Sequence, residues 1–130
     1  MNHIAIDTNA YTAFLSGNEL IRDKIAYASD ILLPVIVLGE LYYGFHKGTK
    51  AQENIASLAI FLGDRRVRVG EVNAAVAKIY GDIQNKLRLA GKSIPSNDLW
   101  IAATCIESSY ELITQDKHFN GIVALELSRF

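Results

Sequence analysis

Residues 3–17 read HIAIDTNAYTAFLSG. The run HIAID (3–7) is short, apolar and closed by an acid, as expected of a strand buried at the centre of a sheet. Thr8 and Asn9 follow at once, and both residue types cap helices. TNAYTAFLSG (8–17) is therefore expected as a short helix stopped near Gly17. A strand that gives way to a helix with no spacer, at a carboxylate, sets the pattern for the rest of the chain.

NELIRDKIAYAS (18–29) carries Leu20, Ile21, Ile25 and Ala28 at helical spacing. DILLP (30–34) is a second short strand, with Pro34 ending it or opening the next helix. VIVLGELYYGFHKG (35–48) and TKAQENIASLAIFLG (49–63) read as two helices forming a hairpin, with Thr49 as N-cap and Gly63 as stop. RVRV (66–69) alternates as a strand does. GEVNAAVAKIYGDIQNKLRLAG (70–91) is the longest expected helix, its seam traced by Val72, Val76, Ile79, Ile83 and Leu87, with Gly81 marking close helix packing. After the loop KSIP come a helix NDLWIAATCIESS (97–109), a strand YELIT (110–114), a turn or short helix QDKHF and a closing strand GIVALEL (121–127). Strands alternating with helices imply a mainly parallel sheet covered on both faces. The expected fold is a three-layer α/β/α sandwich, with residues 1–130 forming one domain.

Composition sets the outer bounds. The chain has 130 residues, of which 50% are hydrophobic and 21% charged, a globular balance rather than a disordered one. A single cysteine leaves no intrachain disulfide and no thiolate metal cluster. No signal peptide and no apolar run long enough to span a membrane is visible, so a cytoplasmic, reducing location is expected. Thirteen Lys plus Arg against 14 Asp plus Glu give a net charge of -1. That balance argues weakly against a nucleic-acid partner, yet charges can segregate and divalent cations can offset clustered carboxylates. DRRVRVG and NKLRLAGK supply local basic patches: Arg65, Arg66, Arg68, Lys86, Arg88 and Lys92 are candidate contacts to a phosphate backbone, or else an ordinary solvated face.

Three acids fall at related topological positions. Asp7 ends the first strand, Asp116 lies just past ELIT, and Asp98 opens the helix leading into ELIT within IPSNDLWIAATCIES (94–108). Sites in open parallel sheets form beyond the carboxyl ends of strands, where chain order reverses, and helix N-termini favour anions. Glu40, one or two turns into the helix after ILLP, can face the same cleft. Each acid alone has a plain structural role: an Asx turn for Asp7, a first-turn acid for Asp98, a surface group for Glu40, a turn residue for Asp116. Together, carboxylates in one place repel one another and resist desolvation unless protons or cations intervene. Oxygen ligands of this kind suit Mg2+ or Mn2+. A set without His or Cys argues against zinc; His118, close to Asp116, is assigned to the surface, and Cys105 to the core. No GxSxG elbow, Walker loop or GxGxxG is present. The acids by themselves select phosphoryl chemistry, not the polymer. A DNA nuclease, a phosphatase and a metal-independent scaffold that keeps the fold all stay open.

With these residues in place, the chain resembles PIN-domain ribonucleases, most closely the VapC toxins of prokaryotic toxin–antitoxin pairs, over nearly its full length. IAIDTNAYTAFL matches the first motif at Asp7, Thr8 and Asn9; PVIVLGELYYG the second at Glu40; IPSNDLWIAATC the third at Asp98; ELITQDKHFNGI the last at Thr114 and Asp116. Cys105 stands where the family often has Ala, and the Gly frequent at or near Ser96 is absent; neither change removes a carboxylate. The resemblance implies an endoribonuclease in which Asp7, Glu40, Asp98 and Asp116 hold one or two Mg2+ or Mn2+ ions, with Thr8, Asn9 and Thr114 positioning them or the substrate. It also implies transfer or ribosomal RNA as target, a homodimer, and a VapB-like antitoxin that blocks the cleft and binds operator DNA with its other end. Attack on phosphorus by water would leave 5'-phosphate and 3'-hydroxyl ends. Tyr42, Tyr43, Phe45 and Phe61 in the long hairpin are the expected dimer contacts.

Overall fold

The computed structural model describes residues 2–130. Its sheet has five strands: β1 (His3–Ile6), β2 (Asp30–Pro34), β3 (Val67–Gly70), β4 (Glu111–Ile113) and β5 (Leu127–Ser128). Their order is β3-β2-β1-β4-β5, and all four pairings are parallel. The expected sandwich is borne out, with the sheet parallel throughout. β1 is central: past its exposed first residue, His3, the residues Ile4, Ala5 and Ile6 are buried, as a strand covered on both faces requires. It pairs Ile4 with Ile31 on one side and with Glu111 on the other.

Helices α1 (Thr8–Leu15) and α2 (Glu19–Tyr27) join β1 to β2; α3 (Val35–Lys47) and α4 (Ala51–Leu62) join β2 to β3; α5 (Ala74–Leu89) and α6 (Ser96–Ser108) carry the chain back to β4. A 3-10 turn (Lys117–Gly121) leads to β5. The chain thus moves outward from β1 through β2 to β3 and then returns across β1 to β4. Right-handed crossovers put the outgoing and returning helices on opposite faces. The reversal lies between β1 and β4, and Asp7 and Asp116 follow the carboxyl ends of those two strands.

Several local expectations are corrected. Asp7 itself, not Thr8 or Asn9, caps α1, its Oδ1 accepting from the Ala10 N–H at 2.8 Å. Helix α6 begins at Ser96, with Pro95 as its N-cap and without a side-chain cap, one residue ahead of the expected Asn97. Lys50 rather than Thr49 precedes α4, without a side-chain cap. The apolar run GIVALEL is not a long strand: Ile122 and Leu125 are buried from a loop, and only Leu127–Ser128 pair with β4. Gly81 has nothing within 4 Å of an added Cβ, so it marks no close packing. Phe45 is 9% exposed and belongs to the core, and Phe61, half-buried, packs against it on Tyr11 and Phe14 at 5.2 and 5.6 Å. Tyr42 and Tyr43 are the exposed pair of the expected four.

Gly70 was expected to start a helix and instead ends β3, paired with Pro34. A Cβ there would lie 2.9 Å from both Leu32 Cδ1 and Thr104 Cγ2. Thr104 cannot easily yield, since its hydroxyl donates to the Trp100 carbonyl at 2.8 Å. Gly70→Ala is expected to destabilise the fold by about 1–3 kcal/mol through overpacking, read as a lower denaturant midpoint with an unchanged slope.

Candidate active site

Beyond the carboxyl ends of β1 and β4 lies a cleft of about 430 Å³. Asp7, Glu40, Asp98 and Asp116 all line it, with Thr8, Asn9, Tyr43, Lys47, Asn97 and Ile101. Each acid arrives from a different element. Asp7 is delivered by β1 and held as the cap of α1. Glu40 lies in α3, and Asp98 is in the first turn of α6. Asp116 caps the 3-10 turn, its Oδ1 accepting from the His118 N–H at 2.9 Å.

The threonines and amides fix these carboxylates. Thr114 is fully buried; its hydroxyl donates to Asp7 Oδ2 and accepts from the Asp116 N–H at 2.9 Å. One hydroxyl therefore ties the first acid to the loop of the last. Thr8 Oγ1 donates to Glu40 Oε1 at 2.6 Å, and Asn97 Nδ2 to Glu40 Oε2 at 3.3 Å. Asn9 is exposed on the cleft wall. Cys105 is buried, and burial pushes its thiol far up, as expected of a core group.

The charges in the cleft strain against one another. Asp7 is 5% exposed; burial pushes its carboxyl up, the Thr114 hydroxyl and Ala10 N–H pull it back, and the Asp116 and Asp98 charges add to the rise. Burial also raises Asp98, against the pull of the His118 hydrogen bond, and Asp116 and Glu40 push the same way as burial. Such a set resists full ionisation unless a cation compensates. Oxygen-rich donors around a polar cleft fit a hard divalent ion. The atoms offered by Asp98, Asp116 and His118 lie within 4.8 Å of one another.

His118 is the clearest residue that sequence reasoning missed. It is on the surface, as expected, but its Nδ1 is 2.9 Å from Asp98 Oδ2 and 3.2 Å from Asp116 Oδ1. Arg129 was also missed: its Nη1 donates to the carbonyls of Thr114 at 3.3 Å and Asp116 at 2.9 Å, bracing the loop between them. None of Arg65, Arg66, Arg68, Lys86, Arg88 and Lys92 lines the cleft. Arg66 is paired with Asp64 and donates to the carbonyls of Ile25 and Ala28 at the opposite edge of the sheet. Arg68 donates to the Tyr110 hydroxyl at 3.1 Å, ahead of β4. Arg88 donates to Asn85 at 2.7 Å, while Lys86 and Lys92 flank a separate apolar pocket. Among the described residues, Lys47 is the one Lys or Arg that lines the cleft.

The PIN domain family model matches residues 4–125. Ribonuclease VapC2 of Rickettsia felis is 34% identical over 109 residues, 83% of this chain and 80% of that protein. Ribonuclease VapC4 of Mycobacterium tuberculosis is 28% identical over 93 residues, 72% of each. Among solved structures, VapBC2 from Rickettsia felis bound to a DNA fragment from their promoter matches with a TM-score of 0.88 and 29% identity, covering 98% of both chains. DNA-bound VapBC from Salmonella typhimurium has the same TM-score at 23% identity, covering 99% of this chain and 98% of that one, a likeness of fold.

Proposed function

The chain belongs to the PIN-domain family, among the VapC ribonucleases, and from that premise we propose that it is the toxin of a toxin–antitoxin pair, an endoribonuclease dependent on Mg2+ or Mn2+. One observation carries the proposal: four carboxylates from four different elements line one cleft at the point where strand order reverses. Asp7, Glu40, Asp98 and Asp116 would hold one or two ions. A divalent cation, when bound, lowers the pKa of a coordinated water and offsets charge developing on the phosphate.

The chain's own residues supply the rest. Thr114 keeps Asp7 ionisable and locks it to the Asp116 loop. Thr8 and Asn97 hold both oxygens of Glu40, so its carboxylate cannot swing from the cleft. Asn9, free on the wall, is suited to a phosphate oxygen or a ribose hydroxyl. Residues 1–130 act as one nuclease domain in this proposal, and water attack leaves 5'-phosphate ends. Exposed Arg65, Arg88, Lys86 and Lys92 stand as contacts to RNA beyond the cleft, whereas Arg66 and Arg68 serve the opposite edge.

The partner is proposed to be a VapB-like antitoxin, which would bring operator DNA only indirectly. Support comes from relatives solved as VapBC complexes, some on DNA. A homodimer is proposed as well, with transfer or ribosomal RNA as substrate. No helix among the described residues is long and apolar enough to cross a membrane, and a cytoplasmic location is part of the proposal.

Incubation of the purified chain with transfer RNA, ribosomal RNA and DNA in parallel tests this function. Cleavage of RNA is expected with Mg2+ or Mn2+, yielding 5'-phosphate ends, and EDTA is expected to abolish it without altering the circular dichroism. Undiminished cleavage in EDTA would overturn the metal scheme, and cleavage of DNA alone the choice of polymer.

A further inference from the structure

We propose that Tyr43 and Lys47 form the subsite for the nucleotide beside the scissile phosphate: Tyr43 stacks an unpaired base and Lys47 meets the adjoining phosphate. The proposal rests on the ribonuclease function above and assigns these two residues a place in its substrate cleft.

Glu40, Tyr43 and Lys47 are spaced i, i+3 and i+7 along α3, which puts them on one helix face. All three line the cleft. Seven residues of helix cover about 10 Å, so this face leads from the acids toward the neighbouring nucleotides of a bound strand. The ends of the cleft differ in charge, since the acids gather at one and Lys47 stands at the other. A polyanion whose reacting phosphate is neutralised at the acidic end needs a cation for its next phosphate, and Lys47 is the one available from the walls.

Tyr43 keeps 66% of its surface exposed, unlike its neighbour Phe45, which is 9% exposed. Lys47 Nζ lies 4.7 Å from the centroid of the Tyr43 ring, over its face. The ammonium braces the ring and leaves most of it open to the cleft. An exposed ring beside a cation is the platform that single strands use, because every base has a π-face. Bases inside a duplex are already stacked on both sides and cannot use it, which restricts the substrate.

The test uses short RNA carrying the mapped cut site, with a single abasic nucleotide moved along it. Tyr43→Ala is expected to raise KM about tenfold, with kcat within about twofold of wild type. Tyr43→Trp should retain activity, and its fluorescence should be quenched by the RNA. One abasic position next to the cut should cost the wild type about tenfold and cost Tyr43→Ala nothing further. Lys47→Gln should reduce the salt slope of RNA binding by about one. Calorimetric Mn2+ affinity should match wild type in both variants. Wild-type KM in Tyr43→Ala, or abasic penalties that are the same in both proteins, would overturn the subsite. So would a loss of Mn2+ binding, or an effect confined to oligomer mass or antitoxin binding. Failure of the wild type itself to cut RNA would instead remove the underlying ribonuclease function.

Discussion

Asp98→Asn is expected to cut RNA about a thousandfold more slowly than wild type, yet to melt higher than wild type when divalent cations are absent. The two effects have one origin. Asp98 has a side chain only 15% exposed and faces the charges of Asp116 and Glu40. Burial and those neighbours raise its carboxyl, so its ionised form is strained in the folded apoprotein. The folded state then holds a proton that the unfolded state has already released. Stability therefore falls as pH rises from the unfolded value through the raised folded one. Asparagine removes that fall while its amide oxygen can still accept from His118. At neutral pH in EDTA the variant should therefore show the higher Tm. Mg2+ should reverse the order, because an ion that binds only the folded state raises wild-type Tm by mass action. Melts in EDTA and in Mg2+, beside a cleavage assay, read both effects. A variant melting below wild type in EDTA would mean that the His118 pair outweighs the repulsion.

Asp7, Asp98 and Asp116 were legible because each sits where local rules announce it, at the end of a buried strand, in the first turn of a helix, or after a second strand; Glu40, inside a helix, was legible only from the strand that its helix follows. Strand order then brought them together. Thr8 and Thr114 were legible as neighbours of those acids, though their bonds were not. His118 and Arg129 were not, because their contacts are tertiary: His118 reaches back 20 residues to Asp98, and Arg129 reaches 15 to Thr114. No periodicity encodes such reach. Tyr43 and Lys47 were within sight, since stepping along the helix face from Glu40 leads to both. Aromatic content pointed instead to a dimer contact, and for Phe45 and Phe61 the core claimed the ring. The overlong last strand came from apolar residues that plug a loop, which a run of hydrophobic letters does not distinguish from a buried strand. Gly70 was assigned to the following helix because a glycine at a strand end has no side chain to show a pattern.

Thr114→Val should destabilise the protein by about 3 kcal/mol at neutral pH and by less in acid. The two side chains have nearly the same shape, so packing changes little; what is lost is one hydroxyl at a fully buried position. That hydroxyl donates to Asp7 and accepts from the Asp116 N–H. Its loss removes a charge-assisted bond, about 1.5–3 kcal/mol, and leaves a backbone donor without its partner, about 1–3 kcal/mol. The first part depends on pH. Burial holds the Asp7 carboxyl above its ordinary value, and the Thr114 hydrogen bond is the largest influence opposing that rise. Without it the folded-state value climbs further, so the decline in apoprotein stability with rising pH continues over a wider range. In acid, where Asp7 is protonated in both proteins, the charge assistance is gone, and what remains is the part owed to a neutral hydrogen bond and to the Asp116 N–H. Activity should follow the same sign, since Asp7 must be ionised to hold a cation: the acidic limb of the cleavage profile should move to higher pH. Thr114→Ser keeps the hydroxyl and should keep the wild-type limb. Urea unfolding at acid and neutral pH, together with cleavage profiles of the three proteins, tests this account. A stability loss equal at both pH values, or a Val variant with the wild-type limb, would show that Thr114 serves packing rather than the ionisation of Asp7.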